Sequence, residues 1–164
     1  MGRYWLGLGS NLGDREKNLA LAAGMLARTR GVKVRCRSSL YESAPVGPPQ
    51  PEYLNAVLEV DCALSPCDLL AVCKAIEREL GRMPGPRWGP RPVDVDLLLA
   101  EDIVAEPQLQ VPHLELHKRA FALAPLCEVA PDAVHPVLHR GLKAILDDLG
   151  DQGVRRVGEL YVEL

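Results

Sequence analysis

Asp94 and Asp96 stand one residue apart in Arg87-Trp88-Gly89-Pro90-Arg91-Pro92-Val93-Asp94-Val95-Asp96-Leu97-Leu98-Leu99, where a Pro/Gly loop runs into an apolar stretch. On a strand the side chains alternate. Val93, Val95, Leu97 and Leu99 are therefore expected on one face and the two carboxylates on the other, about 7 Å apart along the strand. Strands are depleted in Asp, so a cation is expected to offset the repulsion of the pair. Mg²⁺ is bound by one or two carboxylates together with waters and substrate phosphates. Arg82, Arg87 and Arg91, just ahead of the pair, are the side chains that clamp a polyphosphate. Trp88 offers a flat surface for a planar ring. Taken together these residues read as a nucleotide-plus-metal site, with a half-buried strand whose Asp residues face water as the plainer alternative. The chain has no G-x-x-x-x-G-K-[ST] loop, so the phosphates would be held by arginine and metal.

The run Arg87-Trp88-Gly89-Pro90-Arg91-x-Val-Asp-Val-Asp-Leu resembles the signature of the 6-hydroxymethyl-7,8-dihydropterin pyrophosphokinases, enzymes of folate biosynthesis. Other segments match the same family in order, from Gly9 to about Leu146. Gly9-Ser10-Asn11-Leu12-Gly13-Asp14 resembles its N-terminal signature, Pro51-x-Tyr53-Leu54-Asn55 its pterin-binding pattern, and Val111-Pro112-His113 with Arg119-x-Phe121 a later motif. The resemblance implies Ala44, Pro45, Val46, Tyr53, Asn55, Trp88 and Phe121 as pterin contacts, the two rings stacking on opposite sides. It implies Lys74, Glu77, Arg87, Arg91, Leu97, His113 and Arg119 near ATP, and Asp94 and Asp96 as ligands of two Mg²⁺ ions. Arg82 and Arg91 would act with the aspartates in catalysis. Pro84, Leu114, Gln108 and Gln110 depart from the family pattern at positions that bear on ATP binding.

The bulk composition agrees with a globular enzyme. At 164 residues, 48% hydrophobic and 25% charged, one domain over 1–164 with a proper core is expected. A net charge of −3 argues against a nucleic-acid binder. No apolar run approaches the ~20 residues of a membrane span, and the first residues carry no signal-peptide pattern. Five cysteines at irregular spacing make neither a disulfide framework nor a C-x-x-C site, so reduced, mostly buried thiols in a cytoplasmic protein are expected.

The elements that must position these residues follow from periodicity. Arg3–Leu8 reads as a strand with Tyr4, Leu6 and Leu8 inward. Asp14 then caps a helix whose apolar stripe is Leu19, Ala22, Ala23 and Leu26, ended by Gly31. This strand–glycine–helix arrangement imitates a dinucleotide fingerprint, but an NAD(P) site needs further βαβ units that are missing here. Val32–Tyr41 reads as one strand. The segment 43–51, rich in proline and glycine, is longer than a hairpin needs and is suited to wall a pocket. Tyr53–Cys62 forms the next strand, with Leu54, Ala56, Leu58 and Val60 inward and Asn55 opposite. The Asn55 amide offers donor and acceptor to a ring edge.

Ser65 and Pro66 open a second helix with a Leu69, Cys73, Ile76, Leu80 stripe. On spacing alone Glu77 would be an exposed acid. Residues 82–92 form a loop of prolines and glycines bearing arginines, as a closing lid requires. A short return strand is expected at Gln108–Val111, a helix at Leu116–Val129 kinked or broken at Pro125, a helix around Leu142–Leu149 and a strand at Val154–Val162. The pairs His113/His117 and His135/His139 have helical zinc spacing, but Pro136 interrupts one, the other is not H-E-x-x-H, and no third ligand accompanies either.

The order βαββαβ with C-terminal additions gives the expected fold class: an α+β, ferredoxin-like sandwich in which helices cover an antiparallel sheet. The expected activity is Mg-dependent pyrophosphoryl transfer from ATP to 6-hydroxymethyl-7,8-dihydropterin, giving the pterin diphosphate and AMP. The chain would act as a cytoplasmic monomer with no nucleic-acid or membrane partner. A Mg-dependent nucleotide enzyme with another acceptor and a catalytically silent ferredoxin-like binding module are the alternatives.

Overall fold

The computed structural model describes residues 1–45, 49–81 and 92–162. Val46, Arg82, Arg87, Trp88 and Arg91 lie outside the described residues. The chain order is β1 (Gly2–Ser10), α1 (Arg15–Arg28), β2 (Val32–Arg37), β3 (Ser39–Ser43), β4 (Tyr53–Cys62), α2 (Pro66–Glu79), β5 (Asp94–Ala100), β6 (Val104–Glu106), β7 (Leu109–Val111), α3 (Ala120–Val129), β8 (Val134–His135), β9 (Arg140–Gly141), α4 (Leu142–Leu149) and β10 (Arg155–Glu159).

The main sheet runs β10-β3-β4-β1-β5, with β2 also paired to β4, and each of its pairings is antiparallel. With β2 and β3 taken as one strand position, this is the ferredoxin-like order, and the fold is α+β as expected. Helices α1 and α2 cover one face. Leu19, Leu26, Leu69, Cys73 and Ile76 pack there against Tyr4, Leu6, Leu8, Leu54, Leu58 and Val60. Helices α3 and α4 cover the other face through Leu123, Leu126, Leu142 and Ile145 against Val57, Leu98 and Leu99. Asp14 caps α1 by accepting from Lys17 N, and Ser65 caps α2 by accepting from Asp68 N, as the sequence indicated.

Four expectations need correction. The Val32–Tyr41 strand is broken at Ser38. There the hydroxyl accepts from Val57 N at 2.8 Å while Ser38 N donates to Val57 O at 2.9 Å, so a side chain replaces one rung of the ladder. Strand β5 does not alternate to its end. Its register against β1 shifts between Trp5 and Leu6, where Leu6 faces Leu97 and Trp5 faces Leu99. The extra residue carries Leu99 to the α3 side, away from Val93, Val95 and Leu97. The Leu116–Val129 helix breaks at Arg119, whose backbone is extended between a 3-10 turn at Leu116–Lys118 and α3, while Pro125 sits inside α3. Finally, the cysteines are free but not mostly buried: Cys62 and Cys73 are buried, Cys36 and Cys67 exposed and Cys127 between.

Helix α3 is tied to β3 by one carboxylate. Glu128 accepts from Ser39 N at 3.0 Å, Ser39 Oγ at 2.9 Å and Tyr41 Oη at 2.7 Å. Burial works to raise its carboxyl, but the hydrogen bonds from Tyr41 and Ser39 prevail and hold it below its ordinary 4.5. A carboxyl depressed in the folded state contributes stability above the unfolded-state value and loses it as pH falls through the lower folded value. Glu128→Gln should therefore cost about 1–2 kcal/mol in urea unfolding at pH 7, with the deficit shrinking toward zero below pH ~4. An equal deficit at both pH values would show that the charge plays no part.

Candidate active site

Strand β1 forms the floor of the site because it carries glycine where its neighbours carry side chains. Gly7 and Gly9 alternate with the inward Leu6 and Leu8, so the strand carries no side chain on its α3 side over this stretch, beyond Trp5. A Cβ at Gly7 would lie 2.9 Å from Leu98 Cδ1 and 3.1 Å from its Cγ, which only a glycine avoids. Above this floor lies a cleft of about 330 Å³ lined by residues of β4, α2, β5 and α3. Of the fingerprint-like glycines, Gly7 and Gly9 line the cleft, the side-chain space at Gly7 being taken by Leu98, and Gly13 is not among the lining residues.

One end of the cleft is acidic. Asp94 and Asp96 both line it, on the face of β5 opposite Val95 and Leu97, as alternation demands. Glu77 enters from α2 and is 1% exposed, so the reading of an exposed acid is wrong. Its Oε2 accepts from Val95 N at 2.9 Å, and its Oε1 is 3.2 Å from Lys74 Nζ. A carboxylate on α2 thereby satisfies a backbone donor on the outer side of an edge strand, between the two aspartates. Cys73, on the same helix, is pushed up to about 12 by burial and by the neighbouring Glu77 and Asp96, so it remains an unreactive thiol.

His113 and Arg119 flank the acids. His113 N donates to Leu98 O at 2.9 Å, which anchors the segment after β7 to β5. The ring accepts from Glu115 N at Nδ1, at 3.1 Å. Burial lowers its pKa below 6.5 and Arg119 adds to this, against the opposing pull of Asp96. At neutral pH the ring is uncharged, with Nε2–H as its donor. Arg119 sits where the chain breaks before α3, with its guanidinium carbon 5.6 Å from the centre of the Phe121 ring. Gln152 holds this end of α3 by accepting from Ala120 N at 3.0 Å.

The other end is a slot between sheet and α3, walled by Ala44, Tyr53, Asn55, Val57 and Phe121. Asn11 ties the base of the Pro-rich segment to the turn after β1 by donating to Gln50 Oε1 at 2.8 Å and Pro51 O at 3.1 Å. Of the expected site residues within the described set, Ala44, Tyr53, Asn55, Lys74, Glu77, Asp94, Asp96, His113, Arg119 and Phe121 converge on this one cleft. Pro45 adjoins Ala44 but is not among the lining residues. Leu97 is a correction: its side chain is 3% exposed in the core on the opposite face and lines no part of the cleft. Sequence reasoning missed Gly7, Ser43, Val57 and Leu98, for which the only signals were the bare alternation of β1 and the residue preceding Ala44.

The histidine pairs do not share helical faces. His117 lies in the 3-10 turn and His135 and His139 in the β8–β9 hairpin, with the rings of His117 and His135 at a T-shaped 6.1 Å. Among the described residues no group of three His, Cys, Asp or Glu side chains forms a metal cage. Two carboxylates on one wall fit Mg²⁺, which completes its shell with phosphate and water.

Glu77→Ala should leave Val95 N–H unsatisfied and Lys74 without this partner, lowering stability by about 2 kcal/mol, whereas Glu77→Gln, which keeps an acceptor, should lose less. Urea unfolding of both variants checks this, and equal losses would remove the strand-pinning role.

The comparisons with known proteins agree with this geometry. The model of the 7,8-dihydro-6-hydroxymethylpterin-pyrophosphokinase family matches residues 5–131. The 2-amino-4-hydroxy-6-hydroxymethyldihydropteridine pyrophosphokinase of Methylorubrum extorquens is 42% identical over 96% of this chain and 99% of its own. The folic acid synthesis protein fol1 of Schizosaccharomyces pombe is 42% identical over 92% of this chain, which spans only 21% of that longer protein. A Plasmodium falciparum HPPK-DHPS crystal structure superposes with a TM-score of 0.75 at 15% identity, covering 94% of this chain and 48% of the other, and so supports the fold. With most of its length matched by the family model and by a relative of its own size, the chain belongs to the 7,8-dihydro-6-hydroxymethylpterin-pyrophosphokinase family.

Proposed function

We propose that the cleft holds ATP and 6-hydroxymethyl-7,8-dihydropterin side by side and transfers pyrophosphate between them as a step of folate biosynthesis. The pterin hydroxymethyl oxygen attacks the β-phosphorus of ATP. A new O–P bond forms, the bond from the β-phosphorus to the oxygen bridging it to the α-phosphorus breaks, AMP leaves and the hydroxyl proton is lost. The observation that carries the reading is the convergence of an acidic end, Asp94 and Asp96, and an aromatic slot, Tyr53 and Phe121, in one cleft of a chain of this family. Family membership and the retained aspartates together argue against a silent binding module or another acceptor.

Phosphoryl transfer leaves little covalent chemistry to the protein, so positioning and charge neutralisation carry the rate. Asp94 and Asp96 would hold Mg²⁺, two ions in this reading, which when bound neutralises the triphosphate. His113 donates to phosphate oxygens through Nε2–H, and Arg119 offers a fixed cation beside it. Lys74 and Glu77 bound the nucleotide end from α2. Tyr53, Asn55 and Phe121 take the pterin, with Ala44 closing its edge, and Pro45 joins them on the sequence alone. Arg82, Arg87 and Arg91 around the transferring group, Trp88 as the second stacking ring and Val46 as a pterin contact belong to the proposal on the sequence alone. The same reading takes 1–164 as one pterin pyrophosphokinase domain acting as a monomer. The free thiols support a cytoplasmic setting.

Asp96 lies on the surface of the cleft and outside both apolar cores, so its loss is a loss of chemistry rather than of packing. Asp96→Ala should keep the melting temperature within a few degrees and lower AMP release at least about 1,000-fold, the scale of losing a main electrostatic contributor to a transfer step. Turnover within tenfold of the native rate would contradict the metal assignment.

A further inference from the structure

Asn55 lies at the pterin end of the cleft, yet half of its amide is already committed. Its Nδ2 donates to Tyr41 O at 3.2 Å and to Ser43 Oγ at 2.8 Å. A carbonyl oxygen can only accept, so the group facing Tyr41 O must be the NH₂, which settles the orientation of the amide. With both N–H bonds directed at β3, the amide oxygen is what remains on the cleft side, near Gly9. A Cβ built on Gly9 would stand 3.6 Å from Asn55 Oδ1. Asn55 therefore offers the ligand an acceptor, where its side chain type alone offered a donor as well.

Tyr41 O belongs to the β3–β4 pairing and would hold one N–H in almost any sequence. The second is held by a side chain, and that side chain is a choice. Ser43 is 3% exposed and Asn55 5% exposed, so water does not readily replace this contact.

Resting on the reading that Asn55 meets the pterin, we propose that Ser43 is a positioning residue for substrate recognition: its hydroxyl locks the Asn55 amide with the oxygen toward the cleft, selecting a ring edge that presents an N–H donor. Without the hydroxyl, the amide keeps one anchor and spends part of its time rotated or flipped. The pterin then loses affinity while ATP does not, because Ser43 stands on β3 at the pterin end with its hydroxyl on Asn55. Ser43→Thr keeps the hydroxyl and should keep the function.

The test is pterin binding by titration calorimetry, together with the KM for pterin and for ATP, on Ser43→Ala, Ser43→Thr, Asn55→Ala and Ser43→Ala/Asn55→Ala. The expected result is a pterin affinity roughly five- to tenfold weaker in Ser43→Ala, an ATP KM within twofold of native, and recovery to within twofold in Ser43→Thr. In the Asn55→Ala background, Ser43→Ala should add less than twofold, because it acts through Asn55. Full additivity in the double variant, or native pterin affinity in folded Ser43→Ala, overturns the proposal while the pterin site stands. Native affinity in Asn55→Ala overturns the reading beneath it. If Ser43→Ala does not fold, Ser43→Cys replaces it, since a thiol is a weak acceptor of similar size. Pterin affinity within twofold of native in that variant would equally overturn the proposal.

Discussion

Val95 N–H points off the outer side of an edge strand, and Glu77 Oε2 accepts from it at 2.9 Å. Buried as it is, this carboxylate would cost several kcal/mol if left uncompensated, and Lys74 with the backbone donor supplies the compensation. Val95 separates Asp94 from Asp96. Holding its amide therefore fixes the strand that carries both carboxylates, which alternation places on the face opposite Val95. The metal role proposed for the two aspartates asks for carboxylates held in place, and an edge strand otherwise has a free side along which it can shift. This contact is one that orders the acidic end of the cleft.

The other end is ordered by different means. Gly7 and Gly9 leave the face of β1 empty, Leu98 fills what a side chain at Gly7 would have occupied, and α3 stands off the sheet far enough to leave a slot. The position of α3 is set from both of its ends: Gln152 accepts from Ala120 N and Glu128 accepts from Ser39 and Tyr41. Arg119 and Phe121 belong to the N-terminal end of that helix, and Asn55 faces them from β4. In the sheet order β1 lies between β4, which carries the slot residues, and β5, which carries the acids, so its glycine-bearing face separates the two ends of the cleft.

Much of this was legible in the sequence because it rests on local rules. Period-two alternation placed Asp94 and Asp96 together, and the caps at Asp14 and Ser65 fell where short polar side chains precede apolar stripes. What was not legible depends on contacts between distant elements. The bulge that turns Leu99 to the α3 side arises from pairing with β1, and no feature of residues 93–99 announces it. Glu77 looked like a surface acid because helix periodicity cannot see a backbone donor across the gap to β5. Pro125 looked like the breaking point of α3. A proline is tolerated there, and the break comes six residues earlier, at Arg119, where the helix begins anew. The Asn55 amide was expected at the pterin, but that its N–H groups are taken by Ser43 and a strand carbonyl depends on β3 and is not readable from β4 alone.

The most direct measurement is AMP formation from ATP and Mg²⁺ with and without 6-hydroxymethyl-7,8-dihydropterin. The account predicts AMP and the pterin diphosphate in equal amounts when the pterin is present, and no AMP without it. ADP as the nucleotide product, or AMP released at the same rate with no pterin, would contradict pyrophosphoryl transfer at this cleft.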